Sequence, residues 1–447
     1  MMIGLYIVLG IVLFLAYVIM MSMMIIFERD KPKNIIIWSV VFLVSQVIGY
    51  VIYIFIRHVF YKKKKSFEIK VKEDEIYNKL ISNKLNNNKV VCDHEVLKFN
   101  TLAFNTKTTA NNNYELIHDY ESLKQNLISD LSKAKNYIIL ELTKVNIKDF
   151  EEIKNILIEK AKSNVVVKLI HDRMISHKLT KELKKFGVKV YRFSKYNTIG
   201  KVYANLRNVI TIDGAVVYVS NLNISKQQLL SKKETACAFI KLKGDIVQDI
   251  DIQIHKDAIF ASGKFIPYDL HENLTYNNNV QVQLVSNDIN TDLELAIIKA
   301  ICTAKKSIQL ELSSFIPTES IMSLLHFAIN SNIQVRLMVP LKNDRHGKYY
   351  ASRAYAKELA LIGANVYLFD GYINFNAITV DDEYVIFGSY IVDREHLKTS
   401  PQSMLFIKDA KAVKNFNEMF IKGIENSYRI NDAKFMLIKE KFFKNFV

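Results

Sequence analysis

Residues 205–224 read NLRNVITIDGAVVYVSNLNI, and residues 373–392 read INFNAITVDDEYVIFGSYIV. Both contain Asn-x-Ile-Thr-(Ile/Val)-Asp, then three residues, then Val. Asp213 and Asp381 stand 168 positions apart, and other pairs recur in the same order near that offset. AKNYIILEL (134–142) returns as AKKSIQLEL (304–312), and SNVVVKLI (163–170) as SNIQVRLM (331–338). Lys181-Glu182-Leu183 returns as Lys357-Glu358-Leu359, and Val190-Tyr191 as Val366-Tyr367. So many ordered matches indicate a duplicated unit of roughly 150 residues, an ordinary domain size.

Within each copy, apolar strand-like runs alternate with segments of helical spacing, which predicts an α/β fold with a mostly parallel sheet covered by helices on both faces. The quoted stretch itself differs. VITID-GA-VVYVS is two apolar runs about Asp-Gly, a strong hairpin signal, and ITV-DDE-YVIFG is its looser equivalent. Asp213 and Asp381 thus have a full explanation as turn residues. Glu141 and Glu311 recur at matching strand positions. They read either as a buried polar pair beneath a site or as the outward face of alternating strands, and strand alternation favours the second.

Residues 3–27 and 35–56 contain no charge. Each is long enough as a helix to span a hydrocarbon core of roughly 30 Å. The first lacks the basic start and small-residue cleavage site of a signal peptide. The short connector between them predicts a transmembrane helix hairpin. Lys62, Lys63, Lys64 and Lys65 follow it, and the greater basic count on that side places the domains in the cytoplasm of a multi-pass membrane protein. The expected division is a hairpin over 1–60, a basic polar linker over 61–112, a first domain over 113–265 and a second over 266–447.

The formal net charge is +16, from 61 basic and 45 acidic residues. It reads either as attraction to an anionic leaflet or as a bias toward Lys. For Lys62 to Lys65 the membrane reading is preferred, because they sit where lipid headgroups would be met. No basic cluster interleaved with aromatics suggests nucleic acid as a partner. Cys92, Cys237 and Cys302 are isolated, with no metal-ligand spacing, so neither a disulfide framework nor a metal or other cofactor is expected.

The repeated phrase, its duplication, the segment YYASRAYAKELALIGANVYLF (349–369) and the remnant GSYIVD (388–393) resemble bacterial cardiolipin synthases of the phospholipase D superfamily. The resemblance covers nearly the whole chain. It implies two tandem phospholipase D-like domains, each with a His-x-Lys-x4-Asp motif meeting its twin at one site. There one histidine would attack phosphorus, the other would move protons, the lysines would hold the phosphoryl oxygens, and each aspartate would orient a histidine. Here both aspartates survive as Asp213 and Asp381. The histidine positions hold Leu206 and Asn374, and the lysine positions hold Asn208 and Asn376. His171, His177, His346 and His396 are the candidate substitutes. The downstream Asn of the family matches Asn223 in the first copy and is Ile391 in the second. The resemblance with this loss implies a catalytically inactive lipid-binding protein, acting beside an active cardiolipin synthase paralogue at an anionic phospholipid membrane. The alternative is an active synthase condensing phosphatidylglycerol through substitute residues.

Overall fold

The computed structural model describes residues 2–28, 35–45, 48–55, 57, 92–144, 150–174, 176–193, 205–220, 234–263, 280–287, 293–341, 346–394, 396–430 and 444. The chain forms two compact units, one within residues 1–84 and one within 85–445.

In the smaller unit, Met2–Glu28 is one helix and helical backbone recurs at 35–45 and 48–55. Met24, Phe42 and Tyr53 are buried together, with Tyr17, Met21, Trp38 and Tyr50 packed against them. Tyr53 donates to Glu28 at 3.4 Å, and the Arg57 guanidinium lies 3.6 Å from the Phe27 ring centroid. The described segments therefore pack against one another. Among the described residues, no helix is long and apolar enough to cross a membrane. The structure thus leaves the transmembrane and multi-pass assignments unsupported. Lys62 to Lys65 lie outside the described residues.

The larger unit carries two sheets with one plan. The first runs, edge to edge, Asn112–Ile117, Phe239–Gly244, Val216–Ser220, Asn208–Ile212, Tyr137–Lys144, Val166–Met174, Lys189–Arg192. The second contains Gln281–Ser286, Ser403–Lys408, Tyr384–Gly388, Asn376–Val380, Ser307–Leu312, Gln334–Pro340, Asn365–Phe369 in the corresponding order, with Thr108–Thr109 and Ser427–Arg429 added at its edges. The duplication read from the sequence is a duplication of the fold.

Each sheet is mixed, and antiparallel pairs outnumber parallel ones, contrary to the mostly parallel expectation. Only the three strands linked by helices, such as Ser307–Leu312, Gln334–Pro340 and Asn365–Phe369, run parallel. A helical crossover makes a parallel pair, whereas the motif hairpin and the returning outer strands make antiparallel ones. Part of the expected linker is also folded. Glu95–Phe104 is a helix whose Val96 and Leu97 enter the core of the second copy, and Thr108–Thr109 pairs with Val282 and Gln283.

Three layers of core result. One lies outside each sheet, and the central layer between them is filled by Ile246–Ser262 and Ala410–Glu425, packed with residues of both sheets. The motif strands Asn208–Ile212 and Asn376–Val380 are buried at every position. They have cores on both faces, which explains why they read as unbroken apolar runs rather than alternating ones.

Candidate functional site

The motif hairpins turn at Asp213-Gly214 and Asp381-Asp382, all with positive φ (52°, 61°, 53° and 57°). Asp tolerates this left-handed region better than most side chains. Each carboxylate then collects three backbone N–H groups from the turn entering the neighbouring strand. Asp213 accepts from Lys135 at 2.7 Å and from Asn136 and Tyr137 at 2.8 Å each. Asp381 accepts from Lys305 at 2.6 Å, Lys306 at 2.7 Å and Ser307 at 2.8 Å. The aspartates pin the start of strands Tyr137–Lys144 and Ser307–Leu312. They stand beyond the far end of a five-residue strand from positions 206 and 374, and that strand alone is roughly 17 Å long at about 3.3 Å per residue. That distance does not suit the expected role of orienting a histidine.

At the other strand ends, the side-chain oxygens at the two lysine positions are held in the same way, while their amide nitrogens find different carbonyls. Asn208 Oδ1 accepts from the Thr143 amide at 3.0 Å and its hydroxyl at 3.1 Å, while its Nδ2 donates to the Leu206 carbonyl at 3.2 Å. Asn376 Oδ1 accepts from the Ser313 amide at 2.8 Å and its hydroxyl at 3.0 Å, and its Nδ2 donates to the Tyr390 carbonyl. Both side chains are buried and engaged with their own copy. The histidine positions lie on the seam between copies. The Leu206 amide donates to the Pro401 carbonyl at 3.0 Å, and the Asn374 amide to the Ala236 carbonyl at 2.9 Å. Each copy thus borrows a carbonyl from the other at the matching place. Asn374 Nδ2 is buried with no hydrogen-bond partner among the described residues.

Neighbouring positions of the motif region are held by internal contacts too. Ile391 donates its amide to Gln402 Oε1 at 2.6 Å, and Gln402, fully buried, is further held by the His396 carbonyl. Gly388 survives for a backbone reason. Its φ is 151°, and a Cβ there would meet the Ser403 carbonyl oxygen at 2.4 Å. Asn223 lies outside the described residues. Of the candidate histidines, His171 is bonded to the Asp172 carbonyl at 2.8 Å, and burial lowers its pKa. His177 is exposed, and His346 opens the helix His346–Leu361. His396 is buried, bonded to Ser400 Oγ at 3.1 Å and to Lys348 Nζ at 3.2 Å, and Lys348 also pairs with Asp393. A loop position in the sequence is here an internal polar network.

The seam also holds charge that sequence reasoning missed. Arg207, 2% exposed, donates to Asp257 at 2.7 Å, to Ser403 Oγ at 3.0 Å, to Ser286 Oγ at 2.8 Å and to the Asn287 carbonyl at 2.6 Å. It ties the motif strand of the first copy to the second copy. Beside it, Glu141 accepts from Asn205, and burial and the neighbouring Asp257 raise its pKa against the pull of Arg207. Glu311, its counterpart, is pushed up to about 8 by burial. The outward-face reading of these glutamates is wrong. They are 2% and 3% exposed, because their strands have cores on both faces. The only sequence signal for Arg207 is a charge inside an otherwise apolar motif, where the second copy has Phe375. Among the described residues no cluster of His, Cys, Asp and Glu is placed to hold a metal ion.

A family model described as "Cardiolipin synthase, PLD-like domain" matches residues 297–424. The chain is 28% identical to a cardiolipin synthase of Halalkalibacterium halodurans, over 94% of this chain and 88% of that one. It is 30% identical to the major cardiolipin synthase ClsA of Bacillus subtilis, over 70% and 69%. The chain belongs to the cardiolipin synthase family. Its fold is also that of a phosphatidylserine synthase crystal structure from Haemophilus influenzae, with TM-score 0.60 at 12% identity over 79% of this chain and 97% of that one. Within the cardiolipin synthase family this chain is a phospholipase D-like protein whose motif positions carry Leu206, Asn208, Asn374 and Asn376.

Proposed function

We propose that this protein has lost the phospholipase D reaction and serves as a lipid-binding or partner protein in phospholipid metabolism, beside an active paralogue. The observation that carries this reading is the parallel locking of Asn208 and Asn376 by Thr143 and Ser313. Their amides occupy the lysine positions and are held by Thr143, Ser313 and backbone carbonyls, so they neutralise no phosphate charge. Leu206 has no lone pair for attack on phosphorus. The Asn374 amide neither titrates near neutral pH nor serves as a nucleophile. General acid–base catalysis alone contributes about 10²–10⁴ in rate, and here the nucleophile, the proton carrier and the phosphate clamp are missing together.

In this reading the uncharged runs 3–27 and 35–56 insert as a helix hairpin. Lys62 to Lys65 meet anionic headgroups, each adding about 1 kcal/mol of attraction, and the larger unit faces the cytoplasm. The second reading is an active synthase with substitute residues. It is favoured by the name cardiolipin synthase, carried by the relatives at 25–30% identity. A lipid profile of a host lacking other cardiolipin synthases separates the two. Expression of this chain should leave cardiolipin absent, and its appearance would decide for the second reading.

A further inference from the structure

A cavity of about 550 Å³ opens between the copies. His118, Thr235 and Ala236 of the first copy line it, as do Glu311, Phe369 and the helix Ala410–Glu425 of the second. Its volume falls within the roughly 300–1,000 Å³ of small-molecule sites. The corresponding place in the first copy, beside Glu141, is almost closed at about 10 Å³, because Arg207 fills it. In the second copy the position of Arg207 is Phe375, fully buried. Glu311 is therefore left at the cavity wall without a guanidinium. It is 3% exposed, and burial is the one cause raising its pKa. It has no hydrogen-bond partner among the described residues. Gly423 lets the helix lie close over it, with the place of a Cβ 3.9 Å from Glu311 Oε1. A buried polar group without a partner costs stability unless something satisfies it.

The chemistry of the lining selects what could do so. Glu311 is neutral at pH 7 and presents an O–H donor. Asn415 and Asn426 add amide donors, and the exposed Lys422 adds a cation. The wall also carries the carboxylate of Glu418, exposed on the same helix as Lys422, and is otherwise largely carbon from Ala236, Phe369 and Met419. Donors and a cation beside an apolar wall fit an acceptor-rich anion with an apolar tail. We infer that this cavity binds the phosphate headgroup and adjoining acyl carbons of an anionic phospholipid; motif positions 206, 208, 374 and 376 are not among its lining residues, and it adjoins them where Ala236 of its wall accepts the Asn374 amide. The inference rests on the lipid-binding reading above and gives it a site.

The test uses the full chain in detergent, titrated calorimetrically with short-chain phosphatidylglycerol and, separately, with glycerol phosphate. Lys422→Glu removes the cation and Met419→Trp fills the space, and circular dichroism checks that both fold. Each should weaken the lipid at least about tenfold, equivalent to about 1.4 kcal/mol. Glycerol phosphate, which leaves the apolar wall uncovered, should bind more weakly than the lipid. Wild-type binding should decline above pH 8, as Glu311 ionises among His118, Cys237, Glu418 and Lys422. Glu311→Gln, a neutral donor at every pH, should bind without that decline. Lipid affinity unchanged in both Lys422→Glu and Met419→Trp would overturn the site and leave the lipid-binding reading standing. Equal affinity for glycerol phosphate would overturn the assignment to a lipid. Failure of the wild type to bind any anionic lipid would overturn both the site and the lipid-binding reading.

Discussion

Replacing Asp213 or Asp381 by Ala separates an anchoring role for the motif aspartates from a catalytic one. Each carboxylate accepts three backbone N–H groups at 2.6 to 2.8 Å. Bonds to charged groups contribute about 1.5–3 kcal/mol each, so three lost without compensation would cost up to about 9 kcal/mol. Compensation is available, because Lys135, Asn136, Lys305 and Lys306 lie at the surface and their amides turn to water. The amides of Tyr137 and Ser307 are partly buried and lose more. A left-handed φ adds about 1–2 kcal/mol for Ala. The net expectation is about 3 kcal/mol per site. For a unit of this size that is a fall in melting temperature of about 6–12 °C, at roughly 2–4 °C per kcal/mol. Asp→Asn keeps one acceptor oxygen and the tolerance for positive φ, so it should cost about half as much. Thermal unfolding of the detergent-solubilised chain, followed by circular dichroism, measures this. If both Ala variants melt with the wild type, the anchoring argument fails.

Three further outcomes follow from the same structure. Arg207→Met takes the guanidinium away from the buried Asp257 carboxylate, and should destabilise by about 3–5 kcal/mol in chemical denaturation; a change under 1 kcal/mol would show that the guanidinium does not hold the copies together. Glu311 holds its proton to about pH 8 when folded but releases it near 4.5 when unfolded. Native protein therefore binds the extra proton between those values, and stability falls as pH rises through that window, by about 5 kcal/mol at most; Glu311→Gln should remove that slope, and an unchanged slope would refute the assignment. A reporter fused after residue 447 should be cytoplasmic, and an external location would overturn the proposed hairpin topology.

Much of this fold was legible because duplication displays itself twice. The paired offsets, the hairpins and the left-handed aspartates all follow from local chemistry that needs no partner. What misled was burial on both faces. Strand alternation assigns Glu141 and Glu311 to solvent only when one face is wet, and here helices Ile246–Ser262 and Ala410–Glu425 cover that face. Sheet direction was misjudged because helical crossovers are conspicuous in sequence, while returning strands such as Phe239–Gly244 and Ser403–Lys408 look like any other apolar run. The polar cluster of Lys348, Asp393 and His396 joins residues nearly fifty positions apart, with no local pattern to connect them. At the motif site the substitutions were plain in the sequence. Their consequence, two asparagines whose Oδ1 atoms accept from the amide and hydroxyl of the matching Thr143 and Ser313, was visible only in the structure.

The most direct test of the central claim is a defined-lipid assay of the purified, unmodified chain with phosphatidylglycerol, scored for cardiolipin and for a phosphorylated histidine. The account predicts neither above the background of a preparation lacking this chain. Cardiolipin formed above that background would contradict it, and loss of that product on His171→Ala, His177→Ala, His346→Ala or His396→Ala would name the substitute residue.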